Sequence, residues 1–543
     1  LGSSTFKNKK GFKFSGRGTL MGYKFKNNSL EKMAEAMKLD YQKSVIDYKI
    51  FKNEVYTEEQ AKDIKKYLKN DVLLTKQLFD KLWDYWIPFT VLIDYKYVLN
   101  LSWIKSTIAS LIYKSACFIL QTEPTYAETK GEEEAMGGNV FDPKLEEAKN
   151  VWYLDFTSLY PHIFCMFNLF AEGDETTKDV WHGNEIFKVK GYYKTSYQHM
   201  LARSVQDKLI ERNKIRKENP DDPMVYTLKI WLNGLYGVAR SRIFEKVYTP
   251  NCGWDCCWLG QQIQEYAKKR LQDFGFEMIY GDTDSVMVLS IAGEQSKEHL
   301  QDCLKIIIDE IKANVPFPSD TFEIKIEKYL KYIMFPFSDE PVIDLETGEN
   351  KKVKNRLVRE FKGKKKNYLY IYEEDGKNKV EIVGLPIKKD NATPLGMKIF
   401  HEILEPIILK EEKAKFPKQF IDEQIDNALK DKEILKLLAV EYKVKPEKTY
   451  KEESQIHAQI SKAYFNGQAG IIQLIKNNKV GKVGKGTLYC SLEEAIENKL
   501  TIQELDLEKV NQELSPFTQY EKPEPKPNKK KKVKKPKLLT TEI

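Results

Sequence analysis

Three aspartates stand where apolar strands give out. VWYLDFTSLYPHIF opens as an apolar strand, sets Asp155 at its end, and turns through Ser158 to Pro161, a residue that a central strand does not accommodate. EMIYGDTDSVMVLS has the form of a hairpin, with apolar strands on both sides of a GDTD turn. Asp282 and Asp284 lie two apart and can share a face in extended geometry. A lone Asp-Thr-Asp turn is more often an ordinary solvated loop, but apolar flanks on both sides put these carboxylates at the end of a buried sheet. Unpaired charge there is costly, so converging carboxylates call for cations. Hard oxygen ligands suit Mg²⁺, which joins one or two carboxylates with phosphate oxygens and retained water. Two such ions, roughly 3.5 to 4 Å apart, clamp the attacking and leaving oxygens of an in-line phosphoryl transfer.

Between these segments runs QDKLIERNKIRKENPDDPMVYTLKIWLNGLYGVARS. Arg212 and Arg216 stand four apart on one helix face, and Lys229 and Asn233 four apart on a second, with Asn219 to Pro223 as the reversal between the helices. An antiparallel helical hairpin with three cations on facing surfaces can grip a triphosphate, the guanidiniums taking oxygens in pairs and the ammonium acting as a point charge. Taken alone, these spacings also fit a solvated helix face. Joined to paired carboxylates, they point to nucleotidyl transfer.

Together, DFTSLYP (Asp155 to Pro161), KIWLNGLYG (Lys229 to Gly237) and YGDTDS (Tyr280 to Ser285) resemble the three ordered motifs of the family B DNA polymerases, and the likeness runs through nearly the whole chain. By that resemblance the catalytic carboxylates are Asp155, Asp282 and Asp284. Asp155 and Asp284 are the principal metal ligands, assisted by the Phe156 carbonyl, with Asp282 weaker. The implied cofactor is a pair of Mg²⁺ ions, for which Mn²⁺ can substitute. The triphosphate would meet Arg212, Arg216, Lys229 and the Ser158–Leu159–Tyr160 turn. Tyr160 would lie under the deoxyribose, leaving no room for a 2′-hydroxyl, while Asn233 and Tyr236 border the nascent base pair and Thr283 contacts DNA. Where the family usually has Ser after the Asn of its second motif, this chain has Gly234, a loss of side chain expected to loosen the pocket slightly.

GKKKNYLYIY resembles the family's Lys-Lys-x-Tyr element that tracks the primer duplex, giving Lys365, Lys366 and Tyr368; Lys388, Lys389 and Asp390 resemble the basic segment before the thumb. Such phosphate contacts position DNA without reading sequence. SQIHAQISKAYFNGQAG is similar to the thumb's terminal portion. YLKND resembles the last proofreading motif, with Tyr67 orienting water and Asp71 binding metal, and SLEKMAEAMKLDY also resembles that domain. Residues 1–66 contain no Asp-x-Glu, and one carboxylate cannot assemble a two-metal site, so no 3′→5′ exonuclease is expected of this chain unless a separate polypeptide supplies the missing half. The Gly pair of EAMGGNV resembles the element that links proofreading to synthesis, but Ala135 replaces its Tyr.

These residues need several elements to position them. A chain of 543 residues exceeds one hydrophobic core. The expected class is α/β (α+β), a right hand of palm, fingers and thumb preceded by a partial ribonuclease H-like exonuclease domain. The expected segments are 1–90 exonuclease-like, 91–150 connecting, 151–202 palm, 203–240 fingers, 241–391 palm again, 392–516 thumb and 517–543 a disordered tail. Residues from Thr393 onward read as mostly helical, including EQIDNALKDKEILKLLAV, with strand-prone pieces at GIIQLI and GTLYCS. The net charge of +8 owes +7 to the segment Glu521 to Lys537, nine Lys against two Glu, so the body is nearly neutral. That tail reads as a nuclear address, a DNA tether or a solubilising end. The opening LGSSTF, without initiator Met or secretory pattern, suggests a cut or a fragment, and no apolar run reaches membrane-span length. Seven scattered cysteines suit reduced thiols in an intracellular protein; Cys252, Cys256 and Cys257 lack a second ligand pair for zinc and read as buried helix residues.

The expected partners are primed template DNA and deoxynucleoside triphosphates. Rival readings are a protein-primed polymerase of the same family, an inactive DNA-binding scaffold, and an RNA polymerase or reverse transcriptase. The intervals of 57 residues from Asp155 to Arg212 and 49 from Asn233 to Asp282 are short for protein-priming insertions, and Tyr160 argues for deoxyribose selection.

Overall fold

The computed structural model describes residues 56–90, 107–128, 136–291, 296–342, 350–353, 356–357, 359–389, 391–450, 452, 454–484 and 487–519, with a few short strand pieces before residue 40. The side chains of residues 82–90 and 352–359 are outside that description. The SLEKMAEAMKLDY segment (apart from Leu39), Ala135, Asp390 and the tail from residue 520 also lie outside it.

Two compact units divide the chain: residues 1–333 with 372–377, and residues 334–371 with 378–543. The division runs through the stretch expected as the second palm segment.

In the first unit, strand β1 (Glu147–Phe156) lies between β4 (Ser285–Ser290) and β5 (Ile324–Met334), and β3 (Phe276–Asp282) flanks β4, while β2 (Lys188–Lys194) is the middle strand of a separate three-stranded sheet. Strands β3 and β4 are buried along nearly their whole length and are correspondingly rich in Met, Ile, Val and Tyr rather than alternating. The β3–β4 hairpin pairs Ser285 with Asp282, and on its other side Ser285 pairs with Asp155, so the hairpin turn and the end of β1 meet at one rim of the sheet. The short helix α3 (Leu159–Met166) leaves β1 through Ser158, whose φ of 51° turns the chain sharply.

The helical hairpin forms as its caps dictate. Helix α4 (Met200–Glu218) ends in Arg216 and Lys217, which suit the negative end of the helix dipole. Helix α5 (Pro223–Ala239) begins at an Asp222 N-cap that accepts from the Met224 N–H, with Pro223 in the first turn where its missing donor is harmless. Helices α1 (Glu58–Thr90) and α2 (Ile108–Ile119) pack against α5. Helix α6 (Cys252–Asp273) packs against α3 and β3, within a core that includes Trp231, Phe156, Phe164 and Cys256. All seven cysteines are buried, and none is in a disulfide.

The second unit opens with a hairpin of Phe337–Pro341 with Arg359–Gly363. Strands Tyr368–Glu374 and Lys377–Val383 are neighbours, and the turn between them, which counts with the first unit, runs through Asp375 and Gly376, both at positive φ as a two-residue turn of this kind needs. Further on, Pro394–Ile399 runs through a π turn, Phe400–Leu404, into Glu405–Glu411. A three-stranded antiparallel sheet then combines Val440–Val444, Gly470–Asn477 and Leu488–Ser491, with helix Ile456–Phe465 packed on its first strand. The run expected as helix through Val440 breaks up: Lys418–Ala428 and Ile434–Leu438 are helical, but VEYKV alternates and joins the sheet.

Candidate active site

The rim where β1 meets the β3–β4 turn opens on a cavity of about 420 Å³ whose wall includes Asp155, Phe156, Ser158, Leu159, Tyr160, Thr283 and Asp284. Register makes this possible, because the Phe156 N–H donates to the Asp284 carbonyl at 2.8 Å and fastens the two acidic positions together through the backbone. Thr283 holds a φ of 54°, and its N–H donates to the Asn139 carbonyl at 2.8 Å, which supports the turn from outside. Asp282 is not part of the wall; its carboxylate accepts from the Thr283 hydroxyl at 3.0 Å.

Burial pushes the Asp155 carboxyl up to about 7, and the negative charges of Asp284 and Glu327 add to that rise, against a smaller lowering by Lys229 and Lys325. At the rim itself, hard oxygen donors are crowded and partly desolvated, a local arrangement that a divalent cation relieves. Asp155, Asp284 and the Phe156 carbonyl are the groups that would hold Mg²⁺. Among the described residues no group of three or more His, Cys, Asp and Glu side chains is disposed to hold a metal ion. Substrate phosphates and water would have to complete such a shell, as is usual for Mg²⁺.

From the helical hairpin come Arg212, Arg216, Lys229 and Asn233, all in the same wall. Lys229 and Asn233 are exposed on it. Arg212 is buried, and its Nε donates to the Val225 carbonyl at 3.2 Å, so it ties α4 to α5 as well as facing the cavity. Tyr236 lies outside the wall and behind Tyr160, their ring centroids 5.2 Å apart. Gly234 does not leave a gap: a Cβ there would stand 2.3 Å from Ile112 Cδ1, so α2 fills the space that the missing side chain vacates. The expected loosening of the pocket is corrected accordingly.

Two wall residues escaped the sequence reading. Lys325 and Glu327 sit on β5 two apart and thus on one face, with Lys325 paired to Glu323 at 2.9 Å. The signal available was the charged alternation FEIKIEK within an apolar run, leading out of the same sheet that carries Asp155.

In the second unit Lys365, Lys366, Lys388 and Lys389 are exposed. Gly384 approaches the Lys366 carbonyl so closely that any Cβ would stand 1.9 Å from it, which brings the two lysine pairs' loops together. Tyr368 is buried, 5.6 Å from the Phe335 ring centroid. Tyr67 and Asp71 lie on α1; Tyr67 is buried, and Asp71 Oδ1 is buried without a hydrogen-bond partner.

Fold and site together set a carboxylate-bearing sheet rim against a cationic helical hairpin. The sequence pattern of DNA polymerase family B matches residues 104–335. The chain is 24% identical over 291 residues to DNA polymerase 1 of Saccharolobus solfataricus, covering 50% of this chain and 28% of that one. It is 25% identical over 356 residues to a DNA polymerase of Archaeoglobus fulgidus, covering 64% and 40%. It is 28% identical over 230 residues to the mouse DNA polymerase alpha catalytic subunit, covering 37% and 15%. The family B DNA polymerase of Pyrobaculum calidifontis shares the fold, with a TM-score of 0.52 at 17% identity over 90% of this chain and 60% of that one. Residues 104–335 thus match the family B DNA polymerases in sequence, and the chain shares the fold of one of them. Its matches span between about a seventh and two-fifths of these curated relatives. Among the described residues, no helix is long and apolar enough to cross a membrane.

Proposed function

We propose that this chain extends the 3′-hydroxyl of a nucleic-acid primer with deoxynucleotides directed by a DNA template. The observation that carries the reading is the single cavity in which Asp155 and Asp284 face Arg212, Arg216 and Lys229. The finger cations bind the triphosphate, Arg212 being held in place by its bond to Val225. Tyr160 lies under the sugar, and Asn233 borders the base. Asp155, Asp284 and the Phe156 carbonyl would hold divalent cations, which would supply Lewis acidity for the primer hydroxyl and for the leaving pyrophosphate. Lys365, Lys366, Lys388 and Lys389 hold the duplex backbone.

A nucleic-acid primer is preferred to a protein primer because the intervals are filled by small elements. Between α3 and α4 lies a three-stranded sheet within residues 172–194, and between α5 and β3 one helix, α6. Proofreading by this chain alone is not proposed, since residues 1–66 contain no Asp-x-Glu to join Asp71 in a two-metal site.

The test is extension of a primed DNA template by purified protein with Mg²⁺ and all four deoxynucleotides. Stepwise extension supports the reading. DNA retarded in a gel but never extended would favour the scaffold, and synthesis only on a protein hydroxyl would favour protein priming.

A further inference from the structure

Tyr160 is held on several sides, in part by Cys257 and Gly260, which no motif includes. The Cys257 thiol donates to the Tyr160 hydroxyl at 3.6 Å and lies 3.1 Å from the Tyr236 hydroxyl, and Arg240 Nη1 donates to that same Tyr236 hydroxyl at 3.0 Å. The direction of the chain follows from the thiol. Its one hydrogen goes to Tyr160, which leaves the sulfur to accept from the Tyr236 hydroxyl, whose oxygen in turn accepts from Arg240. Cys257 is buried and in no disulfide, so the arrangement is internal to the protein.

Two glycines close the remaining sides. A Cβ on Gly260, one turn along α6 from Cys257, would stand 3.2 Å from Tyr160 Cε1. A Cβ on Gly138 would stand 3.0 Å from the Tyr160 hydroxyl oxygen and 2.7 Å from the Thr283 side chain. The ring thus has little freedom to tilt or withdraw, because interiors this tightly filled do not deform continuously.

We propose that Cys257, backed by Gly138, is a positioning residue for sugar selection: it fixes the Tyr160 ring where a 2′-hydroxyl would collide with it, and so sets how strictly ribonucleotides are refused. This deepens the reading of Tyr160 as the sugar-facing residue and rests on it. A purely structural Cys257 would affect stability and overall rate, but would leave the ratio between two sugars on one protein preparation unchanged.

The experiment measures kcat/KM for a deoxynucleotide and its matched ribonucleotide on a primed template, using the full chain and its Cys257→Val, Cys257→Ser, Gly138→Ala and Tyr160→Ala variants. Cys257→Val keeps the bulk and removes the bond, and is expected to lower the deoxy-to-ribo ratio about threefold to tenfold, as loss of one neutral hydrogen bond allows. Cys257→Ser rebuilds the chain with a hydroxyl and should stay within about twofold of the parent. An unchanged ratio in Cys257→Val alongside a lowered one in Tyr160→Ala overturns the proposal and spares the sugar reading. Unchanged ratios in both overturn the two together. If Cys257→Val proves insoluble, Gly138→Ala decides: a shifted ratio supports the proposal, and an unshifted one overturns it.

Discussion

Asp155 and Asp71 are both carboxylates that the sequence marks as metal ligands, and the molecule treats them differently. Asp155 ends a central strand, shares a cavity with Asp284 and Glu327, and has its carboxyl pushed up by burial and by those neighbours. Asp71 sits in the middle of a helix, with one carboxylate oxygen buried and without a hydrogen-bond partner among the described residues. The residue type is the same in both regions. What differs is whether chain segments far apart in sequence deliver further charge to the same place, which a sheet rim does through register and a single helix face does not.

The comparison breaks most visibly at Asp284. Asp284→Ala is expected to lower primer extension about a thousandfold while gel retardation of primed DNA stays near the parent's, because it removes transition-state stabilisation and no duplex contact. Lys229→Ala should cost about tenfold to a hundredfold in kcat/KM for the deoxynucleotide, the range for one charge-assisted bond.

A pH measurement sharpens the same contrast. The folded Asp155 carboxyl titrates at about 7, above the roughly 3.9 of an unfolded Asp. Its contribution to stability is therefore fully present below the unfolded value and is lost as pH rises through about 7. Thermal melting of metal-free protein should show a fall in Tm between about pH 4 and pH 7 that Asp155→Asn flattens and that Mg²⁺ offsets in the parent. Lys325→Ala removes a cation from beside Asp155 and should lower the Mg²⁺ concentration for half-maximal extension about twofold to fivefold. Asp71→Ala should leave extension within about twofold of the parent, with no 3′→5′ degradation to lose.

Much of this site was legible because its chemistry travels in short local strings. DFTSLYP and YGDTDS each announce a carboxylate at a strand end, and RNKIR with KIWLN announces the helical grip. What stayed hidden depends on contacts between strings. Lys325 and Glu327 enter the cavity only because β5 lies beside β1, and their alternation alone says nothing of which face is which. The place of Gly234 depended on Ile112, more than a hundred residues away. Tyr236 and Asp282 kept their neighbourhoods but not a place in the wall, because one packs behind Tyr160 and the other bonds to Thr283. The strand at Val440–Val444 was masked by the helical period before it, and tertiary pairing with Gly470–Asn477 decided its form.

The account rests on Asp155 and Asp284 sharing divalent ions, and Mn²⁺ binding reads that directly. Titrating the protein with Mn²⁺ by electron paramagnetic resonance, in the presence of primed DNA and a non-reactive deoxynucleotide triphosphate, should show about two bound ions in the parent. The Asp155→Ala, Asp284→Ala double variant should retain only the ions that DNA and nucleotide bind without protein. Equal occupancy in the two proteins would contradict the claim.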